Sequence, residues 1–233
     1  MIRQLQRMAL LAAAVAMIVP ASLRAQASPR ERAREVLPPA VVSELDALAT
    51  RMEREGVPSE PLYNKALEGA AKRIPPDRLM PAVTDYARRL REARTALGPR
   101  ADTPLLMAGA DAFRRGIDMK TLRTLARDER PSPMAVLVLA DLVETGVPTD
   151  RALDLVHEAM MRRARDEMMM GIPADVRQLM RMGHSPMEAA ERVREAMRHW
   201  RGGSMGMMPP VPPGAEPLMW ERDRPHHRRP GGG

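Results

Sequence analysis

Leu153, Val156, Met160, Ala164 and Met168 recur at steps of three and four. That spacing lines one stripe of an α-helix and predicts a helix over 149–170. From Met134 to Val143 almost every position is apolar, so a helix over 133–145 is expected to be the most buried of all. Similar spacing predicts further helices over 40–55, 60–72, 77–97, 104–115, 119–129, 174–182 and 186–200.

Between these segments one phrase returns: a glycine, then Val or Ile, then Pro or a polar residue. It reads Gly56-Val57-Pro58-Ser59, Gly116-Ile117-Asp118-Met119, Gly146-Val147-Pro148-Thr149 and Gly171-Ile172-Pro173-Ala174, with looser copies at Arg73-Ile74-Pro75-Pro76 and Gly183-His184-Ser185-Pro186. Glycine takes the left-handed conformation that ends one helix, Pro, Asp or Ser opens the next, and the apolar residue between them can pack on both. The fold class expected is all-α, an irregular array of stacked helical hairpins. The joints are too unevenly spaced for a tetratricopeptide or ankyrin period.

The two ends differ from this middle. Arg3 and Arg7 precede an unbroken apolar run from Met8 to Val19, Pro20 stops the run, and Ala25-Gln26-Ala27 offers the small-x-small pattern cut by a signal peptidase. Residues 1–27 therefore read as an export signal with cleavage before Ser28. The run is short of the roughly 20 apolar residues that a spanning helix needs, and a periplasmic or secreted protein with no transmembrane span after cleavage is expected. Residues 28–39 read as a frayed arm ahead of Pro38-Pro39, 40–200 as the helical-hairpin domain, and 201–233, rich in Met, Pro, Gly and Arg, as a disordered tail.

Composition narrows the chemistry. With no cysteine, disulfides, thiolate metal sites and cysteine nucleophiles are all excluded. Tyr63, Tyr86, Phe113, Trp200 and Trp220 are the only aromatic residues, so the core is left to Leu, Val, Ala, Ile and Met, which favours helix packing. Arg3, Arg7 and Arg24 of the leader supply three of the seven excess positive charges. In the remainder acids and arginines alternate, as in Arg30-Glu31-Arg32-Ala33-Arg34-Glu35, a pattern of solvated helix faces and not of nucleic-acid binding.

The segment GVPSEPLYNKALEGAAK, Gly56 to Lys72, followed by further Gly-Val-Pro joints, resembles a group of uncharacterised exported bacterial proteins. The resemblance rests on helix-boundary residues. It implies a helical fold and no activity, cofactor or site residue.

No Gly-x-Ser-x-Gly elbow is present, and Gly202-Gly203-Ser204-Met205-Gly206 lacks the lysine of a phosphate loop. Asp141 and Glu144 lie one helical turn apart, a spacing open to paired-carboxylate chemistry or, more simply, to an exposed edge with arginine partners. Lys65, beside Tyr63, Asn64 and Glu68, is a lone lysine on a helix; a pocket bringing Lys65, Asp111 or Asp141 together with other polar groups would point to an enzyme, but no catalytic residue is assigned.

Methionine is the compositional outlier, at 21 residues. Thioethers are soft ligands that select Cu(I), and histidines accompany them. His157, Met160, Met161 and Met168 are expected near one face of the 149–170 helix, with His184 beyond it and Met205, Met207, Met208, His226 and His227 in the tail. Methionine also serves as an adaptable core filler. The function expected is a non-enzymatic binding or scaffold protein of the cell envelope, its partner an envelope protein or an anionic envelope surface. The alternative is a periplasmic copper-binding protein that uses those Met and His residues.

Overall fold

The computed structural model of the protein describes residues 27–127 and 131–199. Among the described residues it is all-helical, with α1 at Pro29–Val36, α2 at Pro39–Arg54, α3 at Glu60–Ala71, α4 at Pro76–Leu97, α5 at Thr103–Arg114, α6 at Met119–Leu125, α7 at Pro133–Glu144, α8 at Thr149–Met161, α9 at Asp166–Arg181 and α10 at Pro186–His199. The leader up to residue 26 and the tail at 201–233 lie outside the described residues. The described chain divides into two compact units: residues up to Glu53 with Pro58–Thr84, and Arg54–Val57 with the residues from Asp85 onward.

The first unit begins at a closed capping box. The Ser28 hydroxyl accepts from the Glu31 N–H at 3.2 Å, and Glu31 Oε2 accepts from the Ser28 N–H at 2.8 Å. Pro29 then occupies the first helical position, where no N–H is missed. The arm expected to fray is thus a helix, α1, packed on α3 with Ala33 fully buried and Leu37 buried just after its end. Pro38-Pro39 does separate it from α2, but docking against another helix is invisible in composition.

The second unit is a two-layer stack. α5 packs on α7 and α7 on α9, while α6 packs on α8 and α8 on α10. Alternate helices therefore form alternate layers, as expected for helical hairpins in series. The cores are aliphatic: in α7, Ala135, Val136, Val138, Leu139, Ala140 and Leu142 are all buried, in line with its continuous apolar run.

The turns are built alike. After α5, Gly116 has φ +91° and the Ile117 N–H donates to the Ala112 carbonyl at 3.0 Å; after α7, Gly146 has φ +99° and the Val147 N–H donates to Leu142 at 3.1 Å; after α9, Gly183 has φ +98° and the His184 N–H donates to Leu179 at 3.2 Å. Each is a Schellman motif, which satisfies carbonyls that the helix end would otherwise leave bare. Val57, Ile117 and Val147, each next to a turn glycine, are buried.

The joint expected at Gly171 is not a turn. Gly171 and Pro173 lie inside α9, and the helix expected over 149–170 ends at Met161. The chain turns instead at 162–165, where Arg163 takes φ +54° and the Ala164 N–H donates to the Ala159 carbonyl at 3.0 Å. Ile172, Pro173, Val176 and Leu179 are buried, and that burial outweighs the hydrogen bond Pro173 cannot donate. The first unit makes the same turn after α3, with Arg73 at φ +57° and the Ile74 N–H donating to Gly69 at 2.9 Å.

With 171 removed and 163 added, a hidden order emerges. Gly116 and Gly146 are thirty residues apart, Gly56 and Gly146 ninety, and Arg73 and Arg163 ninety. Asp102 and Ser132, thirty apart, each cap their helix through the side-chain oxygen, at 3.0 Å to the Leu105 N–H and 3.1 Å to the Ala135 N–H. The array is more regular than its glycines suggest, because two of its turns use arginine where glycine is the usual signal.

Candidate functional site

The residues singled out for copper do not converge on one helix. His157, Met160 and Met161 are on α8, Met168 is on α9 and His184 is in the turn after α9. Met160 is buried at 6% exposure whereas Met161 is 64% exposed, as consecutive residues on a helix must diverge by about 100°. His157 and Met161, four apart, do share a face, and His157 is half-buried. Met205, Met207, Met208, His226 and His227 lie outside the described residues. Among the described residues, no group of three or more His, Asp or Glu is arranged to hold a metal ion.

The acids weighed for catalysis are engaged with arginines. Asp141 accepts from Arg177 at 3.1 Å, and Glu144 accepts from Arg115 at 2.8 Å, each across a helix pair. Asp111 accepts from Arg114 at 2.7 Å and from Arg115 at 2.7 Å. Lys65, in the first unit, donates to Glu68 at 2.9 Å, and Lys72 reaches the same carboxylate at 2.5 Å. Lys72 and then Lys65 hold the Glu68 carboxyl down to about 2.

The ion pairs of the second unit form a ladder across the outer face of one layer. Arg115 joins the C-terminal ends of α5 and α7, and Asp141–Arg177 joins α7 to α9 one step further. Bonds between the same ends of successive helices require those helices to run parallel. These are exposed pairs, worth about 0–1 kcal/mol each, so their main effect is register.

That register sets an apolar row one to two turns nearer the helix starts. The offsets of those ion pairs bring Met107 of α5 within about a residue of the level of Leu137 of α7, and Met134 of α7 to that of Met170 of α9. Met107 is 42% and Met170 55% exposed, while Met134 and Leu137 are half-buried. The row is thus an apolar strip, exposed at Met107 and Met170, bordered by a charge ladder. The pattern of the chain did not disclose it, because Met134 and Leu137 sit in a run apolar on every side and nothing separated the two that face outward. Asp175 and Gln178 were equally hidden: both are buried on α9 and both have polar partners.

The densest polar cluster in the first unit is a clasp around Asp46. Tyr63, 3% exposed, donates its hydroxyl to Asp46 Oδ1 at 2.5 Å; Arg30 Nε donates to the same oxygen at 3.0 Å and Arg34 to Oδ2 at 3.2 Å. Arg30 also lies 5.9 Å from the Tyr63 ring centre, within cation–π range. Burial pushes the Asp46 carboxyl up, but the three hydrogen bonds together hold it below its ordinary value. For Tyr63, burial and then the Asp46 carboxylate both push the phenol well up. All four groups are spent on one another, and the clasp ties α1 to α2 and α3.

No described helix is long and apolar enough to cross a membrane. No family model, curated protein or solved structure matches the chain.

Proposed function

We propose that this is an exported, non-enzymatic binding protein of the cell envelope, and that the outer face of α5, α7 and α9 receives its partner, an envelope protein. The observation that carries this reading is the apolar row of exposed Met107 and Met170 with half-buried Leu137 and Met134, beside the Arg115–Glu144 and Arg177–Asp141 ladder. Thioethers repack at little cost against varied apolar shapes, and the flanking charges supply orientation. The leader and its Ala25-Gln26-Ala27 site support export.

The test is short-range photo-cross-linking in intact cells from position 107 or 170, with exposed Arg192 of α10 as the control site. A discrete adduct from the first two positions and none from the third is expected. Identical adducts from all three, or none from any, would end the proposal. The N-terminal residue of the exported protein should be Ser28; an intact Met1 would refute cleavage.

A second reading is Cu(I) binding, favoured by His157 and Met161 on one face of α8. Competition against a chromogenic chelator, with wild type and with H157A/M161L, should show stoichiometric Cu(I) retention that the double variant loses. Equal behaviour of the two would remove α8 from any copper site.

A further inference from the structure

Methionine is distributed unevenly between the inside and the outside of the fold. Among the described residues seven large apolar side chains are exposed, and five of them are methionines: Met107, Met161, Met170, Met182 and Met187. No described leucine is exposed, although leucine is as apolar and as good a helix former. The outward positions therefore select the thioether and not merely an apolar side chain. What a thioether brings to a surface, and leucine does not, is adaptable packing together with two-electron chemistry at sulfur.

The chain has no cysteine, so no thiolate competes for an oxidant and the accessible thioethers are the softest nucleophiles it presents. With hypochlorous acid the sulfur lone pair attacks chlorine, forming an S–Cl bond and releasing hydroxide. Water then forms the S–O bond as chloride leaves, and of the two protons lost one neutralises that hydroxide. Sulfur gives up two electrons and chlorine takes them, so the net products are a sulfoxide, chloride and one proton. A flexible apolar side chain has become a polar one.

Burial decides which sulfurs are open to this reaction. In the consecutive pairs Met160–Met161 and Met169–Met170 the first member is buried and the second exposed, at 4% against 55% in the latter pair. Met107 on α5 and Met170 on α9 are the exposed members of the apolar row, on either side of half-buried Met134 and Leu137 of α7. A sulfoxide at each of these two positions puts a strong dipole at both ends of the row.

We propose that Met107 and Met170 are sites of sulfoxide formation by hypohalous acid, and that this oxidation turns the apolar row polar and lowers its affinity for the partner. The second half rests on the row being a binding surface, the reading given under Proposed function; the first half does not. The two are therefore measured separately.

For the sites, the purified exported protein is treated briefly with a small excess of hypochlorous acid, digested, and each methionine within 29–199 is scored by fragment mass spectrometry. Met107, Met161 and Met170 should gain oxygen about tenfold faster than Met52, Met160 and Met169, because a buried sulfur reacts only when the fold opens locally. In urea that difference should vanish, and circular dichroism of the oxidised protein should match that of the untreated one. Equal rates in the native protein, a difference that persists in urea, or a loss of helix on oxidation would each overturn the assignment.

For the consequence, the envelope adduct from position 107 is compared in cells before and after the same oxidant. It should fall about tenfold, since a sulfoxide buried without a hydrogen-bond donor is costly. It should persist in M134L/M170L, whose row offers no thioether beside that position. Loss in both would place the oxidation on the partner, and persistence in both would show that the sulfoxide is tolerated; either result overturns this half. No adduct in untreated cells would remove the binding reading and this half with it, while the mass spectra would still decide the sites.

Discussion

α1 and α7 are held to their neighbours by opposite means. α1 has one buried residue, Ala33, and depends on Arg30, Arg34 and Tyr63 closing on Asp46. α7 buries six apolar residues and places its two acids outside, on the arginine ladder. The polar clasp of the first unit ties three helices together around buried Tyr63, whereas the arginine ladder of the second borders an apolar row that is left partly exposed. The dense polar cluster is accounted for by helix-to-helix ties, so the proposed function rests on the apolar row instead.

The comparison breaks most sharply in the apolar helix. Leu139→Ala removes a fully buried side chain from α7 and should cost about 2–5 kcal/mol. Urea unfolding followed by hydrogen exchange should show lost protection across 103–199; a loss under 1 kcal/mol, on the order of a relaxed surface site, would mean that α7 is not the core of its unit.

Next comes the clasp. Tyr63→Phe deletes one hydrogen bond to a charged partner and should destabilise by about 1.5–3 kcal/mol, with exchange rising first in α1. Its pH dependence is set by the two shifts. Asp46 is depressed when folded, so its contribution is complete above the ordinary 3.8 and lost as pH falls through the lowered value. Tyr63 is raised when folded, so its contribution is complete below the ordinary 10.0 and lost as pH rises through the raised value. Thermal melts across pH should show both limbs in wild type, and Tyr63→Phe should lose the alkaline one. An unchanged alkaline limb would show that Tyr63 does not report on folding.

The smallest effect sharpens the likeness between the units. Arg73 and Arg163 both hold left-handed backbone that costs a non-glycine residue about 1 kcal/mol, so R73G and R163G should each raise stability by up to about 1 kcal/mol. Differential melting would check it. A loss in either variant would mean that the arginine side chain contributes more than its backbone strain costs.

The helices over 60–72, 77–97, 104–115 and 133–145 were legible within a residue or two, because apolar period and capping residues act locally. The turn at Arg163 was not, since no glycine marks it and the Gly171-Ile172-Pro173 phrase imitates a boundary. The acids Asp141 and Glu144 were readable as exposed with arginine partners, but not which arginines. The copper candidates could be named from their ligand chemistry, but their separation across α8, α9 and a turn could not.

Residue order alone determined an all-helical chain with an aliphatic core and glycine-marked helix ends, because these depend on contacts three or four residues apart. Tertiary structure decided that α1 docks, that Pro173 is buried within a helix, and that Met107, Leu137 and Met170 face outward on parallel neighbours. Those outcomes depend on which helix lies beside which, and thirty residues of intervening chain carry no local trace of that choice.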